Sequence, residues 1–257
     1  DKVGKIMERV TFKNSRNLTL VGNLYKSISD SVIIMCHGFM SSKYSMGRFE
    51  KLAKAFNESR FDTLTFDFSG CGESDDDSLT IEKEVDDLNS AITFVKSRGY
   101  TKIALYGHSL GTAICLKSFI LEIKAMVLTG ALTDSMKYKW DEFFTRVQMN
   151  ELNKNGYILE YSSDPFREEI IIDSQMLLDF ELINQGELLK NVTCPVLIVH
   201  GNNDEEEKLL YKKSQIAITL LSSDSKLEVI NGANHNFLEH LDILIELANN
   251  WFLRYLK

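Results

Sequence analysis

The 257-residue chain is 44% apolar and 26% charged, with two prolines and no low-complexity tract or internal repeat, which suits one large folded core and excludes a disordered or fibrous chain. Its formal charge of -8 and pI near 5.2 weigh against nucleic acid, whose phosphates are bound through clustered Lys and Arg. The longest apolar runs, such as residues 31–36 and 195–199, have strand length and fall far short of the ~20 residues a membrane-spanning helix needs.

Residues 5–12 and 17–25 are two extended runs around Asn14-Ser15-Arg16, which predicts an antiparallel hairpin at a sheet edge. Beyond residue 31, short apolar runs at 32–36, 63–66, 103–106, 125–128, 195–199 and 227–230 mostly alternate with helical stretches. That rhythm predicts an α/β fold, a mostly parallel twisted sheet of about eight strands with helices on both faces. Ile81, Val85, Leu88, Ile92 and Val95 recur at helical spacing, with Arg98-Gly99 as the stop. Residues 237–256 are apolar on more than one face, as in a helix packed into a large core.

About sixty residues separate the strand ending near Thr129 from the one starting at Pro195, too many for an ordinary α/β connection. The expected division is a core of residues 1–130 and 191–257 with an inserted helical lid at 131–190. The insert carries twelve Asp and Glu against six Lys and Arg, and eight aromatics: Tyr138, Trp140, Phe143, Phe144, Tyr157, Tyr161, Phe166 and Phe180.

Tyr106-Gly107-His108-Ser109-Leu110-Gly111 ends an apolar strand and opens a helical stretch, the context that gives G-x-S-x-G its meaning. Such a turn strains the serine backbone and lifts the hydroxyl clear of the sheet, while the two glycines let strand and helix close together. A serine hydroxyl needs a base to take its proton and an acid to orient that base. Asp204 follows the strand at 195–199 in His200-Gly201-Asn202-Asn203-Asp204, and His235 follows the strand at 227–230 in Asn231-Gly232-Ala233-Asn234-His235. The expectation is Ser109 as nucleophile, His235 as base and Asp204 as acid. Ser, then Asp, then His is the chain order of the α/β-hydrolases.

From about residue 32 to the C-terminus the sequence resembles that superfamily, and within it small esterases of the cinnamoyl-esterase and monoglyceride-lipase type and serine aminopeptidase-like members. His37-Gly38-Phe39 resembles the oxyanion-loop signature, and by that match the backbone N–H groups of Phe39 and Leu110 form the oxyanion hole. Asp67-Phe68-Ser69-Gly70-Cys71-Gly72-Glu73-Ser74 resembles a D-x-x-G-x-G-x-S loop, read as structural support. Relatives often place Val or Val-Pro after the acid, whereas this chain has Glu205-Glu206-Glu207.

Competing assignments are His37, His108, His200 and His240 for the base, and Glu205, Glu206 and Asp134 for the acid. Asp75-Asp76-Asp77 reads as a solvated run rather than a metal site. Cys36 reads as a buried small hydrophobe, and Cys36, Cys71, Cys115 and Cys194 show neither zinc nor disulfide spacing. No basic segment leading into an apolar stretch opens the chain, so a cytoplasmic protein with reduced thiols is expected. The reaction expected is ester hydrolysis through an acyl-enzyme, with a neutral small-molecule ester bearing an apolar or aryl acyl group and with no cofactor and no metal. Its rivals are a serine peptidase or amidase, thioester or C–C bond cleavage on the same fold, and a non-catalytic binding protein; homo-oligomer formation is left open.

Overall fold

The computed structural model describes residues 6–257. Chain order begins with strands β1 (Ile6–Lys13), β2 (Thr19–Lys26) and β3 (Ser31–Cys36), helix α1 (Arg48–Glu58), β4 (Asp62–Phe66), β5 (Ser78–Leu79) and α2 (Ile81–Ser97). Next come β6 (Lys102–His108), α3 (Leu110–Lys117) and β7 (Ile123–Thr129). The insert follows as α4 (Trp140–Phe143), α5 (Arg146–Asn155), β8 (Tyr157–Tyr161), β9 (Glu169–Asp173), α6 (Ser174–Leu182) and α7 (Gln185–Leu189). The chain closes with β10 (Val196–Gly201), α8 (Glu205–Leu220), β11 (Lys226–Ile230) and α9 (Leu241–Tyr255).

Eight strands form one sheet in the order β1-β2-β4-β3-β6-β7-β10-β11. β1, β2 and β4 pair antiparallel, and every pairing from β4 through β3, β6, β7 and β10 to β11 is parallel. The edge hairpin at 14–16 is present, with Asn14 Oδ1 accepting from the N–H groups of Arg16 and Leu18. Lys5, the first residue of the expected strand, lies outside the described residues.

Two apolar layers cover the two faces because side chains alternate along each strand. On β3, Val32, Ile34 and Cys36 point into the layer shared with α2 and α3, while Ile33 and Met35 point into the layer shared with α1 and α9. β6 divides the same way, Ile103 and Leu105 against Ala104 and Tyr106. Strands buried on both faces read as continuous apolar runs, which is why the sequence displays them so plainly. All four cysteines are free and buried. Among the described residues no helix is long and apolar enough to cross a membrane.

The insert differs from the helical segment expected. Its β8–β9 hairpin pairs through β9 with β5 of the core to make a three-stranded sheet. β8 and β9 each bury one or two residues, so they lack the apolar run that betrays a core strand. Arg167 in the hairpin loop ties this sheet to the core, donating to the Gly72 carbonyl at 2.9 Å, to the Ser74 carbonyl, and to Asp76. The acidic run at 75–77 is therefore largely paired: Lys83 and Arg16 hold Asp77, and Asp75 accepts from Thr19 N–H.

Candidate active site

β6 ends at His108 and α3 starts at Leu110, so Ser109 alone makes the turn, with φ 54 and ψ -122. A non-glycine residue at positive φ is strained, and packing must hold it there. A Cβ on Gly111 would lie 2.2 Å from the Cys36 carbonyl oxygen, and one on Gly107 would lie 2.9 Å from the Gly111 backbone. Only glycine lets α3 seat this closely on the ends of β3 and β6. Ser109 N–H donates to the Thr129 carbonyl at 2.9 Å, fastening the turn to β7.

His235 sits on the loop between β11 and α9. Its Nε2 lies 2.8 Å from Ser109 Oγ and its Nδ1 lies 2.7 Å from Glu207 Oε2. A carboxylate can only accept, so Nδ1 carries the proton and the Nε2 lone pair faces the serine hydroxyl.

The expectation that Asp204 holds the imidazole is corrected by these contacts. Asp204 is the N-cap of α8: its Oδ1 accepts from Glu207 N–H at 2.8 Å and its Oδ2 from His235 N–H at 2.7 Å. Both oxygens serve main-chain amides, and the carboxylate one turn further along reaches the ring instead. Glu207 is fully buried; its Oε1 accepts from Gly201 N–H at 2.8 Å and faces His200 Nδ1 at 3.1 Å. Burial pushes its carboxyl up, but the hydrogen bonds from His200 and His235 outweigh that and bring it down to about 2. Burial lowers His235, yet the Glu207 hydrogen bond and the charges of Glu206, Glu207 and Asp204 leave it above the ordinary histidine value. The sequence did carry a signal for Glu207: an Asp followed three residues later by Glu is the pattern of a helix start, which engages the Asp side chain in capping.

His37 is buried under the loop that follows β3. Its Nδ1 donates to the Gly38 carbonyl at 2.8 Å, and its Nε2 accepts from Phe68 N–H at 3.2 Å. In a trans peptide the N–H points away from the C=O, so the bond that draws the Gly38 carbonyl toward His37 turns Phe39 N–H the other way. Leu110 N–H is the first donor of α3 and has no partner within the helix. Among the described residues neither amide is claimed by a protein acceptor. The D-x-x-G-x-G-x-S loop stands behind this: Asp67 accepts from Lys43 N–H and Nζ, both at 2.7 Å, and a Cβ on Gly72 would collide with its carboxylate.

Of the remaining histidines, His108 is locked in place. Arg48 donates to its Nε2 at 3.0 Å, so Nδ1 donates to Thr129 Oγ1 at 2.9 Å. Burial and the neighbouring Arg48 charge push its pKa far down. His200 shares Glu207 and meets Ser214 Oγ at 2.7 Å; His240 lies outside this constellation, and Asp134 does not reach it.

Ser109 and His235 open into a cavity of about 280 Å³ walled by Phe39, Tyr138, Trp140 and Phe180. Larger grooves of about 570 and 770 Å³ lie elsewhere and contain neither residue. The insert supplies most of the aromatic rings of the wall, Phe39 coming from the core: the Trp140 ring lies 5.0 Å from Tyr138, 5.3 Å from Phe180 and 5.5 Å from Phe143, centroid to centroid. Glu206 lines the same cavity, accepting from Tyr138 Oη at 2.7 Å with Oε1 3.5 Å from His235 Nε2.

Residues 27–242 match the family described as "Serine aminopeptidase, S33". The chain belongs to this family of α/β-hydrolases. A human relative, protein ABHD12B, is 25% identical over 80% of this chain, which spans 56% of that protein's length. An Escherichia coli protein, described as an uncharacterized 31.7 kDa protein in the traX-finO intergenic region, is 34% identical over 72% of this chain and 78% of its own length. Among solved structures, the α/β-hydrolase GrgF from a Penicillium species superposes with a TM-score of 0.79 at 18% identity, covering 98% of this chain and 99% of that one. Est1E from Butyrivibrio proteoclasticus, solved with ferulic acid bound, gives a TM-score of 0.73 at 21% identity over 95% of this chain and 98% of that one. Both share the fold.

Proposed function

We propose that this hydrolase is a serine esterase in which Ser109 is the nucleophile, His235 the general base and Glu207 the orienting acid. The observation that carries this is the continuous relay from Ser109 Oγ through His235 to Glu207, with contacts of 2.8 and 2.7 Å, set on a strained strand-to-helix turn. Ser109 Oγ attacks the ester carbonyl carbon as His235 Nε2 takes its proton, and Glu207 stabilises the imidazolium. The amides of Phe39 and Leu110 hold the oxyanion; each such donor is worth about 10²- to 10³-fold in rate. The Nε2 proton then passes to the departing alcohol. Water, deprotonated by the same nitrogen, attacks the acyl carbonyl, and the proton returns to Ser109 as the acid leaves.

The aromatic wall supplied by the insert favours a small-molecule ester with an apolar or aryl acyl group, with the insert serving as the lid. Est1E with ferulic acid bound, a fold neighbour, is in keeping with an aryl acid. The family's description gives the peptidase reading its one specific support. A panel of nitrophenyl esters and aminoacyl anilides, run on wild type and Ser109→Ala, separates the two. Ester turnover that falls about 10³-fold or more in the variant is the expected result. Turnover of anilides but not esters overturns the esterase assignment.

A further inference from the structure

The cavity contains a carboxylate that the relay does not use. Glu206 lies in the first turn of α8, its side chain is 34% exposed, and Tyr138 from the insert orients it. Among the described residues no Lys or Arg pairs with it; its one basic neighbour is His235. Among the described residues, the other formally charged side chain lining the cavity besides the histidines is Arg48, which is 5% exposed. Arg48 is turned inward, donating to the Ser45 carbonyl and hydroxyl, the Asn236 carbonyl and His108. The accessible charge beside the nucleophile is therefore negative, and the rings of Tyr138, Trp140, Phe143 and Phe180 stand next to it.

A carboxylate set against electron-rich ring faces is the arrangement that binds an ammonium group, since each face attracts a cation and the carboxylate adds a full opposite charge. Glu206 Oε1 is 3.5 Å from His235 Nε2, which is 2.8 Å from Ser109 Oγ. Glu206 Oε1 thus lies no more than about 6 Å from Ser109 Oγ, so a cation held between it and the rings falls within reach of a substituent a few bonds from the carbonyl under attack. We propose that Glu206 and the surrounding rings of the insert form a cation subsite, and that the enzyme prefers esters carrying an ammonium group a few bonds from the scissile carbonyl. This rests on the esterase reading and narrows it: the expected neutral ester gives way to a cationic one. It also accounts for Tyr138, whose hydroxyl turns a flexible glutamate toward the nucleophile.

The test compares a choline ester with the 3,3-dimethylbutyl ester of the same acid, which has the same shape and no charge. Wild type is expected to favour the choline ester about 10-fold or more in kcat/KM, chiefly through KM, and Glu206→Gln is expected to abolish that ratio while Glu206→Asp keeps part of it. Equal use of the two esters by wild type, or a ratio unchanged in Glu206→Gln, overturns the proposal. Calorimetric binding of phenyltrimethylammonium to Ser109→Ala, with tert-butylbenzene as the neutral control, reads the subsite without turnover. Charge-selective binding that disappears in Ser109→Ala/Glu206→Gln supports the subsite even if no ester is cleaved, in which case it is the esterase reading that fails. Absence of charge selectivity there, with ester hydrolysis intact in wild type, removes the subsite and leaves the esterase.

Discussion

Three neighbouring carboxylates of one loop and helix turn have separate duties. Asp204 caps the helix and holds the His235 main chain, Glu206 faces the cavity, and Glu207 holds the His235 ring. Glu207→Gln keeps the shape but not the charge, so kcat is expected to fall about 10²- to 10⁴-fold with little change in KM. Asp204→Asn, which still offers an acceptor, is expected to lose far less activity, and Asp204→Ala to lose about 1 kcal/mol of stability in denaturant unfolding through the missing cap. The reverse ranking of the two sites in kcat would return the acid's role to Asp204. In the proposed mechanism only neutral His235 can accept the serine proton, so kcat/KM is expected to rise with pH through its pKa. That midpoint is expected above the ordinary histidine value because, against the lowering effect of burial, the Glu207 hydrogen bond and the charges of Glu206, Glu207 and Asp204 favour the imidazolium. With an uncharged ester, Glu206→Gln is expected to move the midpoint down, as a pH–rate profile reads directly. The meeting of Ser109 and His235 was legible in the sequence because turn chemistry marks both positions. Glu207 was not, because spacing identifies the loop that bears an acid but not which of several adjacent carboxylates reaches the ring.

At the level of elements, the site exists because α3 can press against β3 and β6. Gly111→Ala places a Cβ 2.2 Å from a backbone carbonyl that has no free rotation, so the helix or the loop after β3 must shift. A loss on the order of 2–3 kcal/mol in denaturant unfolding is expected, with a drop in kcat larger than a purely global destabilisation gives. An alanine variant with wild-type activity and stability would contradict this account of the turn. The parallel strands were readable because burial on both faces makes them uniformly apolar. The hairpin of β8 and β9 was not, since its strands are half exposed and its place is fixed by β5 and by Arg167, contacts distant in sequence. The expected helix at 237–256 begins later, at Leu241, because Phe237 adopts φ 57 and a single 3-10 turn intervenes.

Across the whole molecule, the insert carries much of the net charge of -8 and stands over the cavity as its aromatic wall. A field of that sign slows anionic substrates and gathers cationic ones, and salt screens it with a Debye length of about 10 Å at 0.1 M. Polyanionic acyl donors such as acyl-coenzyme A are expected to be poor substrates, with the gap to an uncharged ester of the same acid narrowing as ionic strength rises. A preference for the polyanion would contradict that expectation. The most direct test of the central claim is to treat the protein with a fluorophosphonate and locate the adduct by peptide mass spectrometry. The account predicts a single adduct on Ser109, together with loss of ester hydrolysis in proportion to labelling; full labelling at another residue, with Ser109 unmodified and activity gone, would contradict it.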